Sequence, residues 1–259
     1  MNPPPLVFIT GASSGIGQAL AARYAEAGWR LALVVRRVAE VEAWARASGL
    51  AVDRWAVYGA DVADIDSIVG AAQACIAAQG LPDVVVASAG ISVGIDTAER
   101  EDLDVMRETL AINNIGLAAT FHPFLKAMRE RGAGTLVGIA SVAAIRGMPG
   151  HAAYCASKAA VVAYCESLRG ECRGSGVRVV TLLPGYVATP LTAANPYSMP
   201  FLMAPAAFAE RAFSAIESGT SYRVIPWQMA VVSKLLRLLP NPLFDRLLAG
   251  RGRKPRRAR

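Results

Sequence analysis

Six short runs of apolar, largely β-branched residues recur along the chain: LVFIT (6–10), RLALVV (30–35), RWAVYG (54–59), DVVVAS (83–88), GTLVGIAS (134–141) and VRVVTLLP (177–184). Between them lie alanine-rich stretches with helical spacing, among them QALAARYAEAG (18–28) and IDSIVGAAQACIAAQG (65–80). Strands that stay apolar along their length are covered on both faces. Alternated with helices they predict βαβ units, and right-handed crossovers wind such units into one parallel sheet. The fold expected is therefore α/β: a doubly wound parallel sheet in a single domain, with helices on both faces. The core it needs is available, since 54% of residues are hydrophobic and 18% charged, a balance that excludes a disordered chain.

No linker rich in Gly, Ser or Pro divides the chain before residue 190, and no internal repeat is visible. Residues 1–222 are taken as one unit. Within it, 190–222 mixes turn formers with large apolar side chains (PLTAANPYSMPFLMAP) before a helical stretch, AAFAERAFSAIESG. This segment reads either as a lid over an apolar substrate or as packing between surface helices. Residues 223–250 form an apolar helical extension. Its run VIPWQMAVVSKLLRLLP is interrupted by Lys234 and Arg237. At about 1.5 Å per residue it falls short of a ~30 Å hydrocarbon core. Lying on a membrane, packing on another subunit and roofing a pocket all remain open for it.

The net charge of +7 belongs to the end of the chain: Arg251, Arg253, Lys254, Arg256, Arg257 and Arg259 carry six charges, leaving +1 for the first 250 residues. A broad basic face for nucleic acid is thereby excluded, and 251–259 is read as a disordered, solvated tail. The opening MNPPPLVFITGAS has no basic leader region, so no secretory signal is expected. The four cysteines (75, 155, 165, 172) form no Cys-x-x-Cys pair and have no histidine cluster, which fits a reduced cytoplasmic protein with neither a disulfide framework nor a metal site.

TGASSGIG (10–17) follows the first strand and opens a helix. Gly11 and Gly15 supply turn conformations, and Gly17 lets helix and strand pack closely. The backbone through Ser13, Ser14 and Ile16 then presents amides at a helix start, where a pyrophosphate is favoured. The second strand ends in Arg36 and Arg37, with no carboxylate at 35–38. An acidic residue there would suit the 2′-hydroxyl of NAD, whereas a guanidinium suits the 2′-phosphate of NADP. NADP(H) is therefore the expected cofactor, bound through Arg36 and Arg37; if only one of the two meets the phosphate, Arg37 is the one expected to face solvent.

HAAYCASK (151–158) places Tyr154 and Lys158 four apart, on one helix face. A phenol with a pKa near 10 is a poor base at neutral pH. A neighbouring ammonium and an oxidised nicotinamide would favour the phenolate. Tyr154 could then exchange a proton with a substrate oxygen during hydride transfer. Ser141, at the end of the preceding strand, could hydrogen-bond the same oxygen. The small residues around Lys158 leave room for a ribose. His122 and His151 lack placed partners and are read as structural or rim residues. GIAS lacks the Gly-x-Ser-x-Gly elbow, which excludes a serine hydrolase of that type.

TGASSGIG, a serine 13 residues before YCASK, and PGYVATP in that order resemble the short-chain dehydrogenase/reductase family, in its subclass of about 250 residues, from roughly residue 5 to residue 190. The resemblance implies a Rossmann-like fold, Tyr154 as catalytic acid/base, Ser141 orienting the carbonyl or hydroxyl, and Lys158 binding the nicotinamide ribose. It further implies that Asn113, beside Asn114 in AINNIG, completes a proton relay through water. Asp61 and Val62 would contact the adenine, and Pro184, Gly185, Val187 and Thr189 would line the nicotinamide. The family's Asn-Asn-Ala-Gly reads here Ala87-Ser88-Ala89-Gly90. The backbone of Ser88, Ala89 and Gly90 would still run past the cofactor, with the asparagine hydrogen bonds weakened or replaced by Ser88.

The expected activity is NADP(H)-dependent interconversion of a secondary alcohol and a carbonyl compound of lipophilic character. The alternative is a non-catalytic NADP(H) sensor that docks on a membrane or partner. Homodimers or homotetramers follow from the resemblance.

Overall fold

The structure, a computed structural model, describes residues 3–257. Among these, seven strands form one parallel sheet: β1 (Leu6–Thr10), β2 (Arg30–Val35), β3 (Trp55–Gly59), β4 (Val84–Ala87), β5 (Gly134–Ile139), β6 (Val177–Pro184) and β7 (Tyr222–Ile225). Their order is β3-β2-β1-β4-β5-β6-β7. The chain builds outward from β1 in one direction, then returns to start again with β4 on its other side. Thr10, the last residue of β1, thus lies opposite both Val34 and Ala87. Such a switch point leaves a crevice at the carboxyl ends of the strands, because the two connections leave in opposite directions.

The helices are α1 (Gly15–Glu26), α2 (Val38–Ala47), α3 (Ile65–Gln79), α4 (Asp102–Leu110), α5 (Gly116–Arg131), α6 (Ala152–Glu171), α7 (Pro190–Ala193), α8 (Pro205–Glu217), α9 (Trp227–Leu238) and α10 (Asn241–Leu248). A π turn over Ala111–Ile115 joins α4 to α5. Side chains alternate across the sheet as the strand period requires. Leu6, Phe8, Ala32, Val34 and Val85 join one core with α3, α5 and α6. Val7, Ile9, Leu31, Leu33, Val84 and Val86 join the other with α1 and α8. Both faces are dry, which explains why the strands read as unbroken apolar runs.

All six runs form strands, and the glycine turn opens α1 as its spacing requires. β7 has no counterpart among the six apolar runs, and the expected boundary at 222/223 falls inside it. Four residues at a sheet edge, two of them exposed, carry too little pattern to stand out. Beyond β7, Met229 of α9 and Phe244 and Leu248 of α10 are buried. The Arg146 guanidinium lies 3.7 Å from the Phe244 ring centroid. It donates to the Leu239 carbonyl at 2.7 Å and to the Leu236 carbonyl, filling acceptors that the end of α9 leaves open. Trp227, Val231, Leu235, Leu238, Leu243 and Leu247 remain exposed. Among the described residues, no helix is long and apolar enough to cross a membrane.

The tail differs from the solvated end the sequence suggested. Residues 251–257 lie against the body, where Lys254 is buried and Arg256 pairs with Asp102 at 2.7 Å. Its partners are scattered over residues far away in the chain, so the tail's own composition could not reveal them. Ala258 and Arg259 lie outside the described residues.

Candidate active site

A cleft of about 310 Å³ opens along the carboxyl ends of the strands. Its floor is the turn between β1 and α1, lined by Gly11, Ser13, Ser14, Gly15, Ile16 and Gly17. A methyl group at Gly17 would stand 2.3 Å from the Gly11 carbonyl oxygen, inside contact distance, so only glycine permits this approach of helix to turn. The Thr10 hydroxyl accepts from the amides of Ser88 (3.2 Å) and Ala89 (3.3 Å), tying the segment after β4 to the turn. Thr10 is a functional position that does not stand out in the sequence. Its signal was its place as the last strand residue before the glycine turn.

At one end of the cleft stand Arg36, Arg37, Asp61 and Val62. Arg36 is exposed, with its guanidinium 3.8 Å from the Asp61 carboxylate. Arg37 turns to Glu40 at 2.6 Å, a pair within the first turn of α2. The Asp61 carboxylate also accepts from the Ala63 amide at 3.0 Å. At the other end the wall is built by Pro184, Gly185, Val187 and Thr189. Thr192 bonds back to this strand end, its hydroxyl donating to the Val187 carbonyl at 2.6 Å and accepting from the Thr189 amide at 3.1 Å. Leu191 and Thr192 line the cleft as well and had not been singled out.

Ser141, Tyr154 and Lys158 converge on the middle of the cleft, beside Ser88, Ala89 and Gly90. Ser141 ends the β5 segment, and its Oγ accepts from the Ala143 amide at 3.1 Å, which leaves the hydroxyl proton for the cleft. Lys158 is buried, and its Nζ donates to the Ile139 carbonyl at 2.8 Å. The ammonium stands 5.8 Å from the Tyr154 ring centroid. Burial pushes the Tyr154 phenol up to about 12, against an opposing interaction with Ser141. Burial likewise pulls the Lys158 ammonium down to about 8. The four-residue spacing alone would have the lysine acidify the phenol. In the protein alone desolvation prevails, because each group loses more hydration than its neighbours return.

Asn113 does not line the cleft. It is buried in the π turn, where its Nδ2 donates to the Ile91 carbonyl (3.0 Å) and to Ser157 Oγ (2.9 Å), while its Oδ1 accepts from the Ile91 amide (2.9 Å). A methyl placed on Gly90 would sit 3.1 Å from Asn113 Oδ1 and 3.5 Å from Lys158 Nζ, so asparagine and lysine meet the same bend of chain. Asn114 holds α6 separately, its Nδ2 donating to the Ser157 carbonyl at 2.8 Å. His151 has partners after all: Nδ1 faces the Pro149 carbonyl at 3.2 Å and Nε2 meets the Tyr197 hydroxyl at 2.9 Å. A carbonyl only accepts, so Nδ1 carries the proton and Nε2 accepts from tyrosine. His122 is exposed on α5.

Residues 5–198 match the family model described as short chain dehydrogenase. An uncharacterized oxidoreductase of Myxococcus xanthus is 41% identical over 241 residues, 92% of this chain and 94% of its own length. The structure of an alcohol dehydrogenase from the archaeon Thermococcus sibiricus, complexed with 5-hydroxy-NADP, superposes with a TM-score of 0.75 at 25% identity, covering 86% of this chain and 96% of that one. A 3-ketoacyl-(acyl-carrier-protein) reductase from Brucella melitensis, complexed with NADH, gives 0.77 at 26% identity, covering 85% and 96%. Nicotinamide cofactors of both kinds thus occur among the structures this chain is similar to.

Proposed function

The chain belongs to the short-chain dehydrogenase family of oxidoreductases, and from that membership we propose that it interconverts a secondary alcohol and a carbonyl compound with NADP(H). The observation that carries the proposal is the convergence of Ser141, Tyr154 and Lys158 in the cleft that also holds the β1–α1 turn.

The residues present fit a dinucleotide. The Gly17 approach leaves the α1 amides open to a diphosphate, and Arg36, exposed and only loosely paired with Asp61 at 3.8 Å, stands at the ribose end to meet a 2′-phosphate. Asp61 and Val62 would flank the adenine, and Pro184, Gly185, Val187 and Thr189 the nicotinamide. When bound, the cofactor supplies or accepts the hydride.

In the reducing direction Tyr154 gives its phenolic proton to the carbonyl oxygen as the carbon receives hydride. A phenol held neutral by burial is ready for that role. The Ser141 hydroxyl donates to the same oxygen and stabilises the charge developing there. Lys158 holds the ribose and favours the phenolate left behind. Asn113 holds Ile91 and Ser157, and so keeps Lys158 and Gly90 in register rather than touching substrate.

A lipophilic carbonyl compound is the substrate class we favour, supported by the exposed Leu191, Phe201 and Leu202 of the lid. The exposed apolar row on α9 and α10 supports association with a second subunit, and four unpaired, buried thiols support a reducing, cytoplasmic setting.

The test is a panel of ketones and secondary alcohols assayed with both cofactors, alongside Tyr154→Phe. The expected result is turnover lowered roughly 10²–10⁴-fold by loss of the acid/base, with cofactor binding retained. A protein that only senses NADP(H) would show no turnover on any of the panel and would be indifferent to this substitution.

A further inference from the structure

Burying a charge is costly unless it is paired or hydrogen-bonded. Among the described residues three charged side chains are buried: Asp102, Lys158 and Lys254. Lys158 belongs to the cleft. The other two lie where the C-terminal tail meets the body. Lys254 Nζ donates to the Leu191 carbonyl at 2.6 Å and to Asn195 Oδ1 at 2.8 Å. Arg256 reaches Asp102, and that carboxylate also accepts from the Asp96 amide at 2.6 Å.

The backbone of the tail is seated as well. The Gly94 amide donates to the Pro255 carbonyl at 3.0 Å. A methyl on Gly94 would stand 2.0 Å from the Lys254 carbonyl oxygen, so a glycine is required where the strap crosses. Arg253 lies against Gly150. The tail therefore touches the segments that follow β4, β5 and β6 in turn. Ile91, Ser141 and Leu191 of these segments line the same cleft as Tyr154, and Leu191 is the residue gripped by Lys254.

We propose that Lys254 is a positioning residue, pinning the lid segment 191–195 through an intramolecular strap formed by the C-terminal tail and thereby slowing cofactor release. The inference rests on the reading of the cleft as a nicotinamide site. A lid that must open for release is held by two donations from one ammonium, both lost if the lysine is replaced by an apolar side chain of similar length.

The experiment measures NADPH dissociation by stopped-flow fluorescence for the full-length protein, Lys254→Met, Asn195→Ala and a surface control, Lys126→Met. Limited proteolysis without cofactor reports cleavage within 190–203. Since hydrogen bonds to charged groups are strong, Lys254→Met should speed release about ten-fold with little change in association. Asn195→Ala should act in the same direction more weakly, Lys126→Met should have no effect, and cleavage of the lid should rise with the release rate. A Lys254→Met protein that melts earlier yet releases NADPH and resists cleavage like the unaltered protein overturns the proposal, since a merely structural lysine would behave so. If the unaltered protein binds neither NADPH nor NADH, the nicotinamide reading fails separately. Proteolysis then still decides the strap, unchanged cleavage counting against it.

Discussion

The Lys158 ammonium faces the Tyr154 ring at 5.8 Å but gives its hydrogen bond to the Ile139 carbonyl at 2.8 Å. The pair is poised rather than relaxed. Burial drives both groups toward their neutral forms, the phenol up to about 12 and the ammonium down to about 8. Such opposed shifts are what the proposed acid/base role requires of the pair.

Lys158→Met should therefore stabilise the cofactor-free protein at neutral pH while abolishing activity. Below pH of about 8 the lysine is protonated both folded and unfolded, and the folded state carries the whole cost of burying the charge. Between about 8 and the ordinary value of 10.5 the unfolded chain holds the extra proton, so stability rises with pH. Above that range the cost is gone. The lost bond to Ile139 offsets part of the gain, leaving about 1–2 kcal/mol. Thermal unfolding of both proteins at neutral pH and above the lysine range checks this. The variant's advantage should shrink as pH rises, and an advantage independent of pH would contradict the assignment.

The raised phenol also sets a direction. On the proposed mechanism, carbonyl reduction uses Tyr154 protonated, whereas alcohol oxidation needs the phenolate. With any substrate pair that turns over, kcat/KM for reduction should stay level through neutral pH and decline in alkali. Oxidation should climb about ten-fold per pH unit until the phenol of the complex titrates. Opposite slopes would place the proton on some other group.

The proposed preference for NADP rests on Arg36. It is exposed, and its pairing with Asp61 at 3.8 Å is loose, so its removal should cost little stability. Arg36→Ala should weaken NADP binding about 10–100-fold, the worth of charge-assisted bonds to a phosphate, and leave NAD binding unchanged. Arg36→Asp should reverse the preference. Titration of both cofactors into the three proteins suffices, and equal binding of NAD and NADP by the unaltered chain would remove the NADP assignment.

What the sequence made legible was local. A strand followed by TGASSGIG is one continuous stretch, and a tyrosine four residues before a lysine shares its helix face wherever that helix packs. Ser141 joined them because a strand ending beside β4 and β6 must deliver its next residue to the same crevice. Three features depended on distance along the chain and stayed hidden. Thr10 acts on amides at 88 and 89, the tail finds acceptors at 191 and 195, and His151 finds Tyr197. The sign of the Tyr154 shift was hidden for a different reason, since it depends on lost hydration, which spacing does not reveal.

Asn113 gives the sharpest separation of scaffold from chemistry. Its amide satisfies both the N–H and the carbonyl of Ile91 and the hydroxyl of Ser157, and the side chain itself is only 1% exposed. Asn113→Ala deletes all three bonds and leaves the half-buried N–H and carbonyl of Ile91 without their side-chain partner, at a cost of about 2–4 kcal/mol. Asn113→Asp keeps the acceptor for the Ile91 amide but loses both donations, and it sets a carboxylate near Lys158, which should raise the lysine pKa. Denaturant unfolding should therefore rank the unaltered protein above both variants. The oxidation profile of Asn113→Asp should shift further from that of the unaltered enzyme than that of Asn113→Ala does. Full stability with lost turnover in Asn113→Ala would instead mean that the asparagine acts on the reacting groups directly and that the anchoring of Ile91 is incidental.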